Sequence, residues 1–281
     1  MTAILGGLGA AVMWAASTLS TSRSSKIVAP STVLACVMAI GTALSAPFAL
    51  ASGVPSALRG ANLAWLVVSG VANLLGLLCA YSALRVGKVG VVAPITSAQG
   101  AAAAIIAILL GERIAPGSGF LLALIALGVV LASSSGTAED GSARDGRGPL
   151  LAGSAAGLFG LGLYAAGRLA GELPLAWVVF GPRLIGALVF TLPLLALGRL
   201  RLRRAAVPFI ALSGVCEVLG LAAYILGSRG GIAVAAILAS QFAALAAVFA
   251  YVLFGERLRR VQVVGVAAIV VGVAVLTGLQ A

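Results

Sequence analysis

The chain contains no histidine and only seven acidic residues among its 281 positions. Without imidazole there is no His-ligated metal centre and no His-based acid–base or nucleophilic chemistry. Charged residues make up 9% of the sequence, against roughly a quarter in an ordinary soluble domain. Too few remain to solvate a globular surface of this size. The three cysteines, Cys36, Cys79 and Cys216, each fall inside an apolar run. They form neither a disulfide framework nor a thiolate metal site, and read as small buried hydrophobes. No G-x-x-x-x-G-K-[ST] loop occurs, and no polar gap is wide enough for a nucleotide-binding domain.

What the chain has instead is apolar surface: 62% of its residues are hydrophobic and its mean hydropathy is +1.18. That excess must face lipid, and a helix crosses a bilayer in about 20 residues. Ten apolar runs meet this length, at 3–21, 28–51, 63–84, 89–110, 117–134, 150–170, 175–197, 206–226, 231–254 and 261–279. We refer to them as the first to tenth segments. None shows the short apolar/polar alternation of a membrane barrel strand. The first lacks a basic leader, so it reads as a retained helix rather than a cleaved signal peptide. The net charge of +11 would suggest nucleic acid in a soluble domain. Here the Lys and Arg lie in the gaps between apolar runs, which marks membrane faces and gives no nucleic-acid surface.

One long polar stretch, residues 133–149, is rich in Gly, Ser and alternating charge and cannot bury a core. It divides the chain into a first half, 1–134, a flexible connector, 135–148, and a second half, 149–281. The halves repeat at one constant offset. Ser69-Gly70-Val71 matches Ser213-Gly214-Val215, Leu75-Gly76-Leu77 matches Leu219-Gly220-Leu221, and Arg85 and Gly87 match Arg229 and Gly231. Gly111-Glu112-Arg113 then matches Gly255-Glu256-Arg257, and Gly128 matches Gly272. Five helices per half is an odd number, so the second half enters the membrane in the opposite sense, as in inverted-repeat secondary transporters. The expected fold is an all-α membrane protein of ten transmembrane helices in two inverted five-helix repeats.

These halves, the Gly-Glu-Arg closing the fourth and ninth segments, and the Gly-rich fifth and tenth segments resemble the EamA-type drug/metabolite transporters along essentially the whole chain. The resemblance implies a central cavity between segments one to four and six to nine, with five and ten peripheral. It also implies transport of small organic metabolites, often outward, with both termini in the cytoplasm. Many such sequences carry an arginine in the second and seventh segments. Here the second, near Met38, has none, so no role is carried over to it.

Of the seven acidic residues only Glu217 lies in the middle of an apolar segment, and Arg183 is the one comparably placed cation. Charges at that depth face a cavity or a partner. Glu217 reads either as a proton-coupling or cation-binding carboxylate, or as a structural partner of Arg183. Arg183, next to Pro182, reads as a receiver of substrate carboxylate or as a clamp on Glu217 or on freed backbone carbonyls. Asn73 is the repeat mate of Glu217 and cannot titrate, so any proton coupling is asymmetric between the halves. Trp14, Asn73, Gln99, Tyr164, Arg183, Glu217 and Gln241 form the expected substrate-binding set, with the glutamines hydrogen-bonded inside the bundle. Tyr81 and Tyr224, near segment ends, read first as interfacial anchors and otherwise as cavity aromatics. Pro94 frees a backbone carbonyl and marks a broken fourth helix. The Gly-Glu-Arg turns read as structural, the glutamate capping a neighbouring helix start. Gly153 to Gly157 reads as a small-residue helix contact.

The composite expectation is a secondary transporter in the cell (plasma or inner) membrane. It moves amino-acid-like, amine or drug-like solutes, outward by family habit, driven by a proton gradient or by exchange. No cofactor or metal is called for, the partners are the solute and membrane lipid, and the chain acts as a monomer or homodimer. A flippase for lipid-linked precursors is the alternative within this class. A channel lacks rings of charge or a filter repeat, and an intramembrane enzyme lacks a nucleophile–base pair. Orientation sets charge against family. Thirteen Lys and Arg lie in odd-numbered connections and four in even-numbered ones. The positive-inside rule therefore puts the odd connections in the cytoplasm and both termini outside.

Overall fold

A computed structural model describes residues 1–87, 89–112, 119–120, 123–124, 126–127, 147–246, 261, 264, 268 and 271, with backbone alone at 89–91 and 94. Every described element is helical. In lipid the backbone has no water to bond, so an apolar chain that crosses alone must satisfy its own amides, as a helix does. Six described helices are long and apolar enough to cross a membrane. They are Thr2–Ile27, Pro30–Ala51, Ala61–Val86, Arg147–Leu169, Leu175–Ala196 and Arg204–Ser228, the first, second, third, sixth, seventh and eighth segments. The fourth and ninth are shorter, Ile95–Leu109 and Ile232–Ala246. Most of the fifth and tenth, the connector from 135 to 146, and Gly255-Glu256-Arg257 with Gly272 lie outside the described residues. The sixth helix starts at Arg147, inside the stretch expected as connector.

Two helices are not simple rods. The fourth consists of Val89–Ser97 and Gln99–Leu109, joined where the Ala98 amide bonds Ile95 at 3.2 Å. The ninth tightens the same way, the Gln241 amide bonding Leu238 at 3.2 Å. Pro94 accounts for the first interruption only in part, since the second occurs without proline. There the Ser240 hydroxyl bonds the Ile237 carbonyl at 2.7 Å, a local bond that competes with the helical ladder. The two interruptions rest on each other: a Cβ at Gly100 would lie 2.6 Å from the Ser240 Cβ. In the seventh segment, a π turn at Ala187–Thr191 follows the helix Leu175–Gly186. The Thr191 hydroxyl ties it to the Ala35 carbonyl of the second at 2.9 Å.

The repeat seen in sequence is a repeat of contacts. The first and eighth segments pack antiparallel along their length, and so do the third and sixth. Matched glycines explain it, because TM-helix packing depends on small residues that let neighbours approach. Gly220 seats Trp14 and its mate Gly76 seats Phe159. Gly214 seats Ile40 and its mate Gly70 seats Ile185. Where the second and seventh segments cross, Gly41 seats Arg183 and Gly186 seats Met38. Each seat in one half takes a side chain from the other. The glycines expected to pack, Gly153 and Gly157, have nothing within 4 Å among the described residues. That contact falls instead one to two turns later, at Gly160 and Gly162.

The odd face gathers the end of the first segment and the start of the eighth, where the Arg23 guanidinium lies 5.8 Å from the Phe209 ring centre. On the even face the bundle is shut. A Cβ at Gly6 would lie 2.4 Å from the Gly227 Cα, and one at Gly230 would lie 3.1 Å from the Ala3 amide nitrogen. Glu112 accepts the Ala233 amide at 3.2 and 3.3 Å, at the start of the ninth helix, where four amides lack intrahelical partners. This is the capping geometry expected of the Gly-Glu-Arg glutamate. Arg113 lies outside the described residues.

Candidate functional site

A cavity of about 80 Å³ lies between the halves, several times the roughly 10–15 Å³ one water needs. It is walled by the first, third, fourth, sixth, seventh, eighth and ninth segments. It runs from Trp14 and Gln99 at mid-bundle toward Thr21, Leu84 and Val92 near the odd face. Toward the even face it is closed by the glycine seams and by Tyr224, whose hydroxyl donates to the Leu163 carbonyl at 2.8 Å.

Arg183 stands at the cavity wall with 0% exposure. The helix carrying it comes close enough because Gly41 has no side chain: a Cβ there would lie 2.9 Å from the Arg183 Cδ. Its guanidinium donates to Asn73 Oδ1 at 3.1 Å and to the Glu217 backbone carbonyl at 3.0 Å. A longer contact of 3.5 Å reaches Glu217 Oε2. Nε is left without a partner among the described residues. Arg183 therefore bridges the third segment of one half to the eighth of the other. Glu217 is 8% exposed, and its Oε1 accepts from the Ser17 hydroxyl at 2.9 Å. Both sequence readings of Arg183 meet here: it clamps Glu217, and it lines the cavity while doing so.

Five of the seven expected site residues line this one cavity: Trp14, Asn73, Gln99, Arg183 and Glu217. The other two do not. Tyr164 is buried edge-on to Trp65, ring centres 5.6 Å apart, in an apolar layer with Ile4 and Leu238. Gln241 is buried beside the kink of the ninth segment, and its Nε2 has no partner among the described residues. Its neighbour Phe242 reaches the cavity instead.

Sequence reading missed the hydroxyls. Ser17, Thr18, Thr21, Ser69, Thr96 and Tyr81 also line the cavity, and Ser213 lies just behind it with 0% exposure. Tyr81 and Tyr224 are not interfacial anchors but are 3% and 0% exposed. The first helix continues past Thr21 to Ile27, so the serines that look like a loop form one more buried turn and a half of helix. Ser17, Thr21 and Ser24 recur at helical spacing, the signal that was available in the sequence.

The cavity wall is mostly apolar with hydroxyls and amides set into it, and the charges of its ion pair, Arg183 and Glu217, offset each other. Such a site suits a small solute with donors, acceptors and apolar surface together. Among the described residues no group of His, Cys, Asp and Glu is placed to hold a metal ion.

A sequence model of the EamA-like transporter family matches residues 1–134 and again 146–278. No curated protein matches. Fourteen solved chains do; one, described only as "Crystal structure of protein", is 22% identical with a TM-score of 0.77. The alignment covers 99% of this chain and 96% of that one. At that identity the likeness speaks for the fold.

Proposed function

This chain belongs to the EamA-like transporter family, and from that premise we propose a secondary transporter that exports small amphipathic organic solutes by alternating access, with Glu217 coupling transport to a proton gradient. The observation that carries this reading is the cavity between the halves, closed at the even face and walled by one ion pair of the second half, whose arginine bonds Asn73 and whose carboxylate accepts from Ser17 of the first. Its mostly apolar lining, dotted with hydroxyls and carrying an offset ion pair, favours amphipathic solutes with no net charge, amino-acid-like molecules included, over strong ions. Inverted halves permit the opposite closure by exchange of their packing.

The test is counterflow in proteoliposomes with a panel of amino acids, amines, sugars and nucleosides. A transporter accelerates labelled uptake when unlabelled solute is trapped inside; a channel or enzyme does not. Once a solute is found, a pH gradient should drive its accumulation in the wild type. In Glu217→Gln the gradient should have no effect, while counterflow persists. Gradient-driven accumulation surviving in that variant would remove Glu217 from the coupling role.

For orientation we propose that the odd face is cytoplasmic, following the charge bias. A membrane-impermeant thiol reagent on intact cells should then label Ser56→Cys on the even face and spare Leu202→Cys on the odd face. The reverse pattern puts both termini inside.

A further inference from the structure

Along the cavity wall three hydroxyls and one carboxylate are strung together between the first and eighth segments, with Ser213 alone behind it. Ser17 donates to Glu217 Oε1 at 2.9 Å. Ser17 and Ser213 are 3.0 Å apart, and Thr21 and Ser213 are 2.9 Å apart. Each hydroxyl has a single hydrogen to give, and that fixes the order. Ser17 gives its own to the carboxylate, so Ser213 must donate to Ser17, and Thr21 must donate to Ser213. All three hydrogens point toward Glu217. The outer end of the chain is Thr21, at the part of the cavity nearest the odd face. Beside Thr21 and Ser213 stands the buried Tyr81 hydroxyl.

The other half has the same scaffold without the chain. Ser69, the mate of Ser213, donates to the Gly162 carbonyl at 3.3 Å. Gly162 occupies the place of Ser17, and Asn73 that of Glu217. Ser213 itself does not line the cavity. The hydroxyl path thus runs beside the solute's space, within the wall.

We infer that Thr21, Ser213 and Ser17 form a proton relay that loads Glu217 from the odd face, with a hydronium ion entering the cavity supplying the proton at Thr21 and leaving as water. In one transfer the Glu217 carboxylate takes the Ser17 proton, Ser17 takes that of Ser213, and Ser213 takes that of Thr21. Thr21 then takes one from the entering donor. One O–H bond breaks and one forms at each step, and the sum is a neutral Glu217. Neutralising Glu217 removes its ionic hold on Arg183 and leaves that guanidinium on Asn73 and the Glu217 backbone carbonyl. The tie that the proton loosens is therefore the one between the seventh and eighth segments, while Arg183 keeps its bond across to Asn73.

The charged or titratable groups around Glu217 are few. The seventh segment brings Arg183, the third Tyr81, and its own helix Cys216. Arg23 of the first lies further out, over Phe209, and Cys36 of the second packs in the apolar layer around Ile210. The ninth brings none among the described residues.

This inference rests on the proton-coupled reading above, and the experiment separates the two. Ser213→Ala is compared with the wild type in proteoliposomes, by counterflow at equal pH and by accumulation under an imposed pH gradient. Ser213→Ala should lower the initial rate of gradient-driven uptake by about tenfold or more, in the range of a lost proton-transfer partner. Counterflow should stay within about twofold of wild type, since Ser213 does not reach the solute. Ser213→Thr, which keeps the hydroxyl, should recover the driven rate. Equal loss of both activities in Ser213→Ala, with no recovery in Ser213→Thr, would overturn the relay in favour of a packing role. Full gradient drive in Ser213→Ala would overturn it outright. A wild type indifferent to pH, or driven by a sodium gradient at equal pH, would overturn proton coupling itself.

Discussion

Arg183→Met is expected to destabilise the bundle by about 3–5 kcal/mol, the usual consequence of stripping one partner from a buried ion pair. The loss leaves the Glu217 carboxyl at 8% exposure without its arginine and with the Ser17 hydroxyl as its remaining side-chain donor among the described residues. The informative variant is the double one. Asn73 is the repeat mate of Glu217, and Met38 sits on Gly186 as Arg183 sits on Gly41, one residue out of the repeat register, so Met38 already fits such a glycine seat. Arg183→Met with Glu217→Asn therefore gives the second half the chemistry of the first. Volume is roughly kept and no charge is stranded, so most of the lost stability should return. Thermal unfolding in detergent or nanodiscs reads this directly. The double variant should keep solute exchange and respond to no pH gradient. If it melts as early as Arg183→Met alone, the arginine is held by backbone carbonyls and the ion pair carries little of its stability.

Gly6→Ala should reduce exchange by about tenfold or more, because a misfit of even an ångström at a closing seam is felt at the site. Its Cβ would lie 2.4 Å from the Gly227 Cα and 2.5 Å from the Ala223 carbonyl oxygen. Both obstacles are backbone, so no rotamer change relieves them. The first and eighth helices must part on the even face, at a cost of about 1–3 kcal/mol for overpacking. Gly9→Ala, one turn along on the same helix, is the control. Its Cβ would meet the Ala223 Cβ at 3.5 Å, an ordinary contact, and exchange should be unchanged. Counterflow of both variants at matched expression decides the matter, and wild-type exchange in Gly6→Ala would show that this seam does not close the carrier.

The fold was legible because lipid makes hydrophobic length an almost sufficient signal, and because the repeat is written in glycines whose purpose is contact. Gly70, Gly76, Gly214 and Gly220 could be matched on sequence for the reason they matter in space: each seats one bulky side chain from the opposite half. Glu217 and Arg183 stood out for a related reason, since a charge at mid-segment demands a partner. Tyr81 and Tyr224 were misjudged because segment ends are blurred in sequence and a tyrosine near one fits either an interface or an interior. The hydroxyls escaped because Ser and Thr are cheap in a membrane helix and equally common in loops. Nothing in composition separates Ser213, which joins two helices, from Ser228, which bonds its own backbone. Tyr164 and Gln241 were assigned to the cavity by depth alone, and depth does not say which way a residue turns.

The crossing of the second and seventh segments has a further meaning. Met38 lies on Gly186 while Arg183 lies on Gly41, so the junction is the kind of self-complementary contact that two copies of one subunit make about a two-fold axis. In a true homodimer every residue near that axis appears twice. An arginine there would face its own image, and a carboxylate would bring a second carboxylate. Such an assembly can hold only an even number of charges at its centre. Joining the two halves in one polypeptide lifts that restriction, and a single cation with a single anion becomes possible. The covalent link thus gives the centre of the bundle a direction that a pair of identical subunits is forbidden by symmetry to have.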